Sequence, residues 1–206
     1  MIVQTLTLGP AQTNCYLVGA EPLREAVVID PGWAADVILA EARSAELTIK
    51  AILLTHGHFD HIGAVADVKE ALQVPLIAHS LELDLLNAKG GADLFGFRIR
   101  SVPQPDRLVA HGDTIEIGAL KFEVRYVPGH TLGHIAFVAH ENRSAFVGDV
   151  LFAGSIGRTD LPGGDYDTLI ASITDQLLTL PDDFKVYPGH GPPTTIGIER
   201  QTNPFL

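Results

Sequence analysis

Four side chains of types that bind metal ions lie within six residues of the sequence. His56, His58, Asp60 and His61 follow a short apolar run and precede a helix-like one. Side chains alternate along an extended segment, so His56, His58 and Asp60 face one side, and His61 at a helix start can turn back towards them. Imidazole nitrogens and carboxylate oxygens bind divalent ions at about 2 Å, so this density of donors predicts a site for one metal ion or two.

The alternative interpretation of this cluster is a solvated polar loop. At the His and Asp frequencies of this chain, three His and one Asp at these offsets arise by chance on the order of once in a thousand sequences. Clustered imidazoles that bind neither a metal nor a hydrogen-bond partner are also costly to bury. We therefore interpret the cluster as a metal site.

Metal-capable side chains follow three further strand-like runs, each after a glycine. These side chains are His130, Asp149 and His190. A glycine at such a position lets two backbones approach closely, and ligand sites in α/β folds favour strand ends. We expect these ends to converge with the first cluster on one pocket.

The elements that must position these residues are short apolar strands alternating with helix-period segments. The predicted strands are 2–8, 15–18, 26–30, 51–55, 76–79, 120–127, 135–139, 144–147 and 184–187, and the predicted helices are 33–45, 61–72, 80–89 and 166–180. The early strands read as a meander and the later ones are interleaved with helices, which predicts an α/β fold with two packed sheets flanked by helices. No repeat or linker divides residues 1–206, so we predict a single domain.

The segment 90–106 is rich in Gly and Pro and has two interpretations. It is either a lid over a site or a loop that packs Leu94, Phe95 and Phe97 into the core. Both alternatives remain open on the sequence.

Composition excludes several classes of protein. The 206 residues carry a net charge of −11 and one cysteine, Cys15, so no disulfide framework exists, and Cys15 is expected in the core. No apolar run is long enough to span a bilayer, and the acidic balance argues against nucleic-acid or anionic-membrane partners. The N-terminus lacks the pattern of a signal peptide, so the expected location is the cytoplasm.

The ordered set His56-x-His58-x-Asp60-His61, His130, Asp149 and His190 resembles the metallo-β-lactamase superfamily, and specifically its glyoxalase II-like hydrolases. The similarity extends from Asn14-Cys15-Tyr16-Leu17 to Gly189-His190-Gly191-Pro192. It implies an αββα sandwich with two divalent metal ions, zinc first, with iron or manganese as alternatives. It also implies that His56, His58 and His130 hold one ion, that Asp60, His61 and His190 hold the other, that Asp149 bridges them, and that Asp60 orients the bound hydroxide.

The resemblance implies hydrolysis of a small anionic thioester such as S-lactoylglutathione, by attack of a metal-bridging hydroxide. Only sixteen residues follow His190, so we expect no counterpart of the helical region with which full-length glyoxalase II enzymes grip glutathione. Gly191-Pro192-Pro193-Thr194 also replaces the acidic and aromatic residues of glutathione-specific members. The short, single-domain glyoxalase II-like hydrolases are therefore the better match.

Two further residues near the predicted site keep alternatives. Arg158 lies in a glycine-rich run after Asp149, where it either contacts a substrate carboxylate or forms an ion pair with Asp160. His134 resembles the family's usual continuation after His130, and we expect a structural hydrogen bond from it in preference to an eighth metal contact.

A persulfide dioxygenase on the same scaffold is the alternative function. Enzymes of that kind resemble this chain, including a Gly-Arg-Thr-Asp run, and bind one iron through a set that corresponds here to His56, His130 and Asp149. They retain all seven side chains, so the ligand set does not separate the two functions. Three other functions fit less well. A β-lactamase usually works outside the cytoplasm, and this N-terminus lacks an export signal; a nuclease is expected to have a basic face, and this chain is acidic. A non-catalytic binding module is expected to lack metal ligands, and none of the seven is missing.

Overall fold

The structure is a computed structural model that describes all of residues 1–206, and six strands form its first sheet in sequence order. These strands are β1 (Ile2–Leu8), β2 (Thr13–Ala20), β3 (Glu25–Ile29), β4 (Thr48–Leu53), β5 (Leu76–His79) and β6 (Arg107–Val109). β1 to β3 pair antiparallel, and β3 to β6 pair parallel. Parallel neighbours need long crossover connections, which here contain helices.

The second sheet has the strand order β14-β13-β10-β9-β8-β7. Its strands are β7 (Thr114–Ile117), β8 (Leu120–Tyr126), β9 (Ile135–Ala139), β10 (Ser144–Gly148), β13 (Lys185–Pro188) and β14 (Thr194–Thr195), and a separate hairpin consists of β11 (Leu151–Phe152) and β12 (Ser155–Ile156). Only β10 and β13 pair in parallel. Both sheets are therefore mixed.

Six α-helices flank the sheets. They are α1 (Ala35–Ser44), α2 (Phe59–Ile62), α3 (Val65–Leu72), α4 (Leu83–Asn87), α5 (Tyr166–Ser172), which continues as a wide turn over Ile173–Leu177, and α6 (Ile196–Thr202). The side chain of Asp165 caps α5 by accepting a hydrogen bond from the Thr168 backbone N–H at 2.8 Å. No helix in the structure has the length and apolar character needed to cross a bilayer.

Three apolar clusters lie between four layers. Successive residues of a strand face opposite sides, so Val28 of β3 packs towards α1 and α3 while Val27 and Ile29 pack towards the second sheet. In the same way Phe137 of β9 faces the first sheet, and Val138 faces α5 on the outer side. The fold is an αββα sandwich, which confirms the fold class predicted from the sequence.

The predicted helix 61–72 is two helices in the structure, α2 and α3. The chain breaks at Gly63 and Ala64, where the backbone N–H of Ala64 donates to the carbonyl oxygen of Pro31 at 2.9 Å. A side chain at Gly63 would meet the Gly32 carbonyl oxygen at 2.4 Å, so the break lets α2 dock closely against the end of β3.

Candidate metal centre

Four strand ends meet at one edge of the sandwich. β9 pairs antiparallel with both β8 and β10, and β13 pairs parallel with β10, so β8, β10 and β13 run in the same direction. His130, Asp149 and His190 follow these three strands, and the segment from His56 to His61 follows β4 of the other sheet. The two sheets are joined there by the backbone N–H of Ile135, which donates to the carbonyl oxygen of Thr55 at 2.9 Å.

Three buried histidines form a first group of possible metal ligands. One ring nitrogen from each of His56, His58 and His130 lies within 4.8 Å of the others. Nδ1 of His58 and Nε2 of His130 are 2.8 Å apart and form a hydrogen bond. Three convergent imidazoles are a donor set that suits zinc and other transition metals.

A second group consists of Asp60, His61 and His190, whose ligand atoms also lie within 4.8 Å of one another. Asp149 lies between the two groups. Its Oδ1 is 3.3 Å from Nε2 of His61, and its Oδ2 is 3.4 Å from Nε2 of His190 and 3.7 Å from Nε2 of His130. The structure thus brings all seven predicted side chains together.

Outer hydrogen bonds leave the inner ring nitrogens free to bind a metal. Nδ1 of His61 donates to the Asp30 carboxylate at 3.0 Å, and Nδ1 of His130 donates to the Arg158 carbonyl oxygen at 2.7 Å. The inner Nε2 atoms of His56 and His61 and Oδ1 of Asp149 are buried and make no hydrogen bond. Buried polar atoms without partners are costly, and this pattern of outer bonds with vacant inner nitrogens is typical of metal-binding histidines. The residues present fit metal ions.

Burial keeps the first group neutral. Desolvation lowers the pKa of His56 well below its usual value, with repulsion from His61 adding to the effect. The pKa of His58 falls to about 3, again through burial and then through His130. A neutral imidazole is the form that binds a metal ion.

The second group carries charge. Burial works to lower the pKa of His190, but hydrogen bonds to Asp149 and Asp60 outweigh burial and raise it to about 9. The pKa of His61 is likewise raised, since Asp149 and Asp60 outweigh its desolvation. Burial works to raise the pKa values of Asp60 and Asp149, yet attraction to His61 together with hydrogen bonding to His190 outweighs burial and lowers both. Both carboxylates are ionised at neutral pH.

Asp30 and Thr55 support the cluster, and the sequence analysis did not identify this role. The backbone N–H and the hydroxyl of Thr55 donate to the Asp30 carboxylate at 2.8 and 2.6 Å. Because that hydroxyl donates to Asp30, it accepts from Nδ1 of His56, 3.1 Å away. Asp30 therefore orients His61 directly and His56 through Thr55. The available signal was an acidic residue at the end of a buried strand.

Glu82 joins the two loops that carry the first group, and this residue was also missed. The residue is 2% exposed, and its carboxylate accepts hydrogen bonds from the backbone N–H of Gly57 at 2.6 Å and of Gly133 at 2.7 Å. It also accepts from the Thr131 hydroxyl at 2.7 Å. Gly57 lies between His56 and His58, so one buried carboxylate fixes both loops. No sequence pattern marked it.

Glycine is required at Gly148 and Gly189 by close contacts. A Cβ on Gly189 would lie 2.0 Å from Oδ1 of Asp149, and one on Gly148, whose φ is +51°, would lie 2.4 Å from the Thr55 hydroxyl oxygen. The expectation that these glycines permit close approach of strand ends is confirmed.

Two residues that the sequence analysis placed outside the ligand set lie beside it or behind it. His134 is fully buried, its ring is stacked 4.6 Å from that of His56, and its Nε2 accepts from the backbone N–H of Asp149 at 3.1 Å. Cys15 is buried in the apolar cluster between the first sheet and its helices. Both positions agree with structural roles.

The candidate metal centre opens into a cavity of about 340 Å³. Arg158 lines this cavity, and its guanidinium also donates to both carboxylate oxygens of Asp160 at 2.7 Å. The ion pair predicted as one alternative is thus present, at the edge of the site. Within the segment 90–106, Phe95 and Phe97 line the cavity, whereas Ile99 and Val102 pack against the core. Leu94 is exposed, so the three apolar residues that the loop interpretation placed in the core do not pack there, although other apolar residues of the segment do.

Comparison with known proteins gives the family. The profile of the metallo-β-lactamase superfamily matches residues 8–190. A relative from Haemophilus influenzae, hydroxyacylglutathione hydrolase GloC, is 40% identical over 209 residues, which cover 100% of this chain and 98% of that protein.

Solved structures agree over the full length of the chain. The BLEG-1 B3 metallo-β-lactamase is 41% identical with a TM-score of 0.94, covering 100% of this chain and 99% of that one. TTHA1623 in a di-iron-bound form is 46% identical with a TM-score of 0.91, covering 99% and 100%. ETHE1 from Myxococcus xanthus is 33% identical with a TM-score of 0.81, and the match covers 99% of this chain and 84% of that one. The chain belongs to the metallo-β-lactamase superfamily, and its site is that of a metal-dependent hydrolase.

Proposed function

We propose that this protein is a thioester hydrolase of the glyoxalase II type that uses two divalent metal ions, with S-lactoylglutathione as the first substrate to test. The observation that carries the proposal is the division of the seven side chains into two groups of three, with Asp149 in contact with both. His56, His58 and His130 would hold one ion, and Asp60, His61 and His190 the other. The similarity to hydroxyacylglutathione hydrolase GloC supports the substrate class.

Bound divalent metal ions lower the pKa of water from about 15.7 to near 7 and polarise a carbonyl oxygen. The chain itself supplies no nucleophilic serine or cysteine at the cavity, whose polar lining consists of candidate ligands and Arg158. Hydrolysis adds water across the C–S bond: the acyl carbon gains an oxygen, and the sulfur leaves as a thiolate. A thiol with a pKa of about 8.5 leaves without strong acid assistance.

We assign to Asp60 the role of orienting the attacking water. Its Oδ2 accepts a hydrogen bond from the Thr13 hydroxyl at 2.8 Å and lies 3.2 Å from Nε2 of His190. Thr13 is buried, so the carboxylate is held in one orientation. Burial works to raise the pKa of Asp60, but attraction to His61 and hydrogen bonding to His190 lower it. The carboxylate is therefore ionised and can accept a hydrogen bond from the attacking water. This is the role proposed for Asp60.

Zinc is the first metal to test, with iron or manganese as alternatives. The di-iron form of TTHA1623 supports iron in particular. The proposal further takes the substrate to be a small anionic molecule in the cytoplasm, with no nucleic-acid or membrane partner. The net charge of −11 supports the absence of such a partner, since nucleic acids and membrane surfaces attract basic proteins.

The test compares thiol release from S-lactoylglutathione by the metal-loaded wild type and by His58→Ala. We expect kcat/KM of the variant to fall by at least about three orders of magnitude, because an essential part of the nucleophile's site is lost. The exposed His140, which pairs with Glu123 away from the cavity, provides the control variant His140→Ala with unchanged activity. Equal rates for His58→Ala and the wild type would reject the proposed role of the cluster.

A mononuclear iron persulfide dioxygenase is the second candidate, because the similar protein TTHA1623 binds iron, although it binds two ions and not one. Iron would then be held by His56, His130 and Asp149, a set of nitrogen and oxygen donors typical of non-haem iron oxygenases. Metal analysis with oxygen uptake on glutathione persulfide distinguishes the two. Iron together with stoichiometric oxygen consumption would overturn the hydrolase proposal.

A further inference from the structure

Apolar side chains line the part of the cavity that the candidate ligands do not. They are Pro10, Ala11, Phe59, Phe95, Phe97 and Leu161. Three of them are aromatic and pack together: the ring of Phe59 lies 5.2 Å from that of Phe95 and 5.1 Å from that of Phe97. We call Phe59, Phe95 and Phe97 the aromatic wall.

Backbone geometry fixes the aromatic wall beside the metal centre. Phe59 directly follows His58, and Phe95 ends a short helical turn over Lys89–Phe95. At Gly90, with φ +63°, a Cβ would lie 2.2 Å from the backbone nitrogen of Phe59, so only glycine lets this turn approach the ligand loop. Gly96, with φ +75°, turns the chain between Phe95 and Phe97. The two later rings are therefore carried to the cavity by the backbone itself.

Phe95 leaves a large apolar surface in contact with water. The residue is 43% exposed and lines the cavity, although burial of such a ring is favourable in proportion to the area covered. Leu94, the preceding residue, is 76% exposed but does not line the cavity. An apolar ligand in the cavity would cover Phe95 and leave Leu94 unchanged.

Charge decides which part of a glutathione thioester fits this wall. Arg158 is the only lysine or arginine that lines the cavity, and the carboxylate of Asp160 already pairs with the Nε and Nη2 edge of its guanidinium and offsets its charge. The glutathione part carries two carboxylates and an ammonium group at neutral pH, and these groups would lose hydration against phenyl rings. The acyl group is the part without charge.

We infer that the aromatic wall receives the acyl group of the substrate, and that the enzyme prefers thioesters with an apolar acyl group over S-lactoylglutathione. This inference rests on the proposed thioester hydrolysis and specifies its substrate class. The cavity of about 340 Å³ is at the small end of the range for ligand pockets. The acyl group is therefore small, with about four to eight carbons.

The kinetic test compares S-hexanoylglutathione with S-lactoylglutathione, which share the thiol and the scissile bond. We expect kcat/KM of the wild type to be on the order of 10-fold higher for the hexanoyl compound. Phe95→Ala should remove most of this advantage, chiefly through a higher KM for the hexanoyl compound, and should affect the lactoyl compound less. Leu94→Ala, an equally conservative truncation one residue away, should change neither.

A binding test needs no turnover. Trp33 is the only tryptophan of the chain, and its ring lies 5.8 Å from that of Phe97, so its fluorescence reports on the aromatic wall. S-hexylglutathione and S-methylglutathione are thioethers that cannot be hydrolysed. Titrated into the metal-loaded protein and into the chelated protein, the hexyl compound should bind on the order of 10-fold more tightly in both.

The outcomes separate the inference from the proposed function. Two results would overturn the inference and leave the proposed hydrolysis intact. One is equal kcat/KM for the two acyl groups together with equal affinity for the two thioethers. The other is equal effects of Phe95→Ala and Leu94→Ala. Failure of the metal-loaded wild type to cleave either thioester overturns the proposed function. In that case, tighter binding of the hexyl compound that depends on Phe95 still supports an apolar ligand at the wall.

Discussion

The histidines around the candidate metal centre differ in charge according to their neighbours. His56, His58 and His130 are buried mainly among other imidazoles, so burial lowers the pKa of each. His61 and His190 face Asp60 and Asp149, so their pKa values are raised despite burial. Before metal binds, the three histidines of the first group are therefore neutral at pH 7, whereas His61 and His190 of the second group are protonated.

This difference predicts a pH dependence that separates the two metal ions. Ligand nitrogens must lose their protons to bind a metal. Between pH 6.5 and the pKa of about 9 of His190, binding at the second group should release about two protons from His61 and His190, whereas the histidines of the first group should release almost none. The metal affinity of the second group should therefore rise with pH, and that of the first group should stay constant above about pH 6.5. Calorimetric titration in buffers of different ionisation enthalpy measures the metal affinity and the proton release at each group. Equal proton release from the two groups would contradict the assignment of the protonated histidines to the second group.

Glu82 offers a second prediction at the residue scale. In Glu82→Gln an amide nitrogen replaces one acceptor, so a buried N–H of Gly57 or of Gly133 loses its partner. We expect a loss of about 1–3 kcal/mol in the free energy of unfolding, and a metal affinity lowered about 10- to 100-fold. Denaturant unfolding and competition with a chromophoric chelator measure the two effects.

Glu199 provides the matched control for Glu82. It is equally buried and accepts hydrogen bonds from Gly154 and Thr194, but it contacts neither ligand loop. Glu199→Gln should cost similar stability and leave metal affinity unchanged. A loss of affinity of the same size in both variants would mean that Glu82 acts only through general stability.

At the scale of elements, the strand ends are packed so tightly that one methyl group matters. In Gly189→Ala the new Cβ would lie 2.0 Å from Oδ1 of Asp149 and 2.7 Å from Cε1 of His61. We expect bound metal to fall below one equivalent per chain, and activity to fall on the order of 100-fold, because both groups share Asp149. Metal content after dialysis and kcat/KM test this.

Gly191→Ala separates crowding from backbone strain. Gly191 has φ +73° and no atom within 4 Å of a new Cβ, so alanine there is strained without a collision. It should cost about 1–2 kcal/mol of unfolding free energy and retain its metal. Loss of metal in this variant too would attribute the effect at Gly189 to strain in the segment around His190.

Sequence patterns predicted the longer elements and the ligands because both leave local signals. Strand β9 is a continuous apolar run, and the segment 166–180, which contains α5 and its wide turn, has helical spacing and is followed by Pro181. β6 and β14 contain only three and two residues, too few for a pattern, and α6 was missed as well. The support from Asp30 and Glu82 could not be predicted, since topology alone brings them to partners 25 and 49 residues away.

At the scale of the whole molecule, the candidate metal centre spans both sheets, so metal should stabilise the entire sandwich. A ligand that binds only the folded state at about 1,000 times its Kd adds about 4 kcal/mol. For a chain of this length, that raises Tm by roughly 8–16 °C. Removing metal with a chelator should lower Tm by this amount while the far-ultraviolet circular dichroism is retained, because the three apolar clusters involve no metal.

His58→Ala and His140→Ala calibrate that prediction. The first removes one ligand and should show a much smaller chelator-induced shift, and the second should show the full shift. A shift of the same size in both variants would place the stabilising metal elsewhere in the molecule.

The first hairpin holds the last candidate ligand in place. Thr13 pairs with His190 as an isolated bridge, the backbone N–H of Asn14 donates to the Gly189 carbonyl oxygen at 2.7 Å, and the Asn14 side chain reaches the Gly191 carbonyl oxygen at 2.8 Å. These contacts join residues about 175 positions apart. During synthesis, these contacts can therefore form only after the segment around His190 has left the ribosome, so the second group of candidate ligands is completed late, after the first sheet has been made.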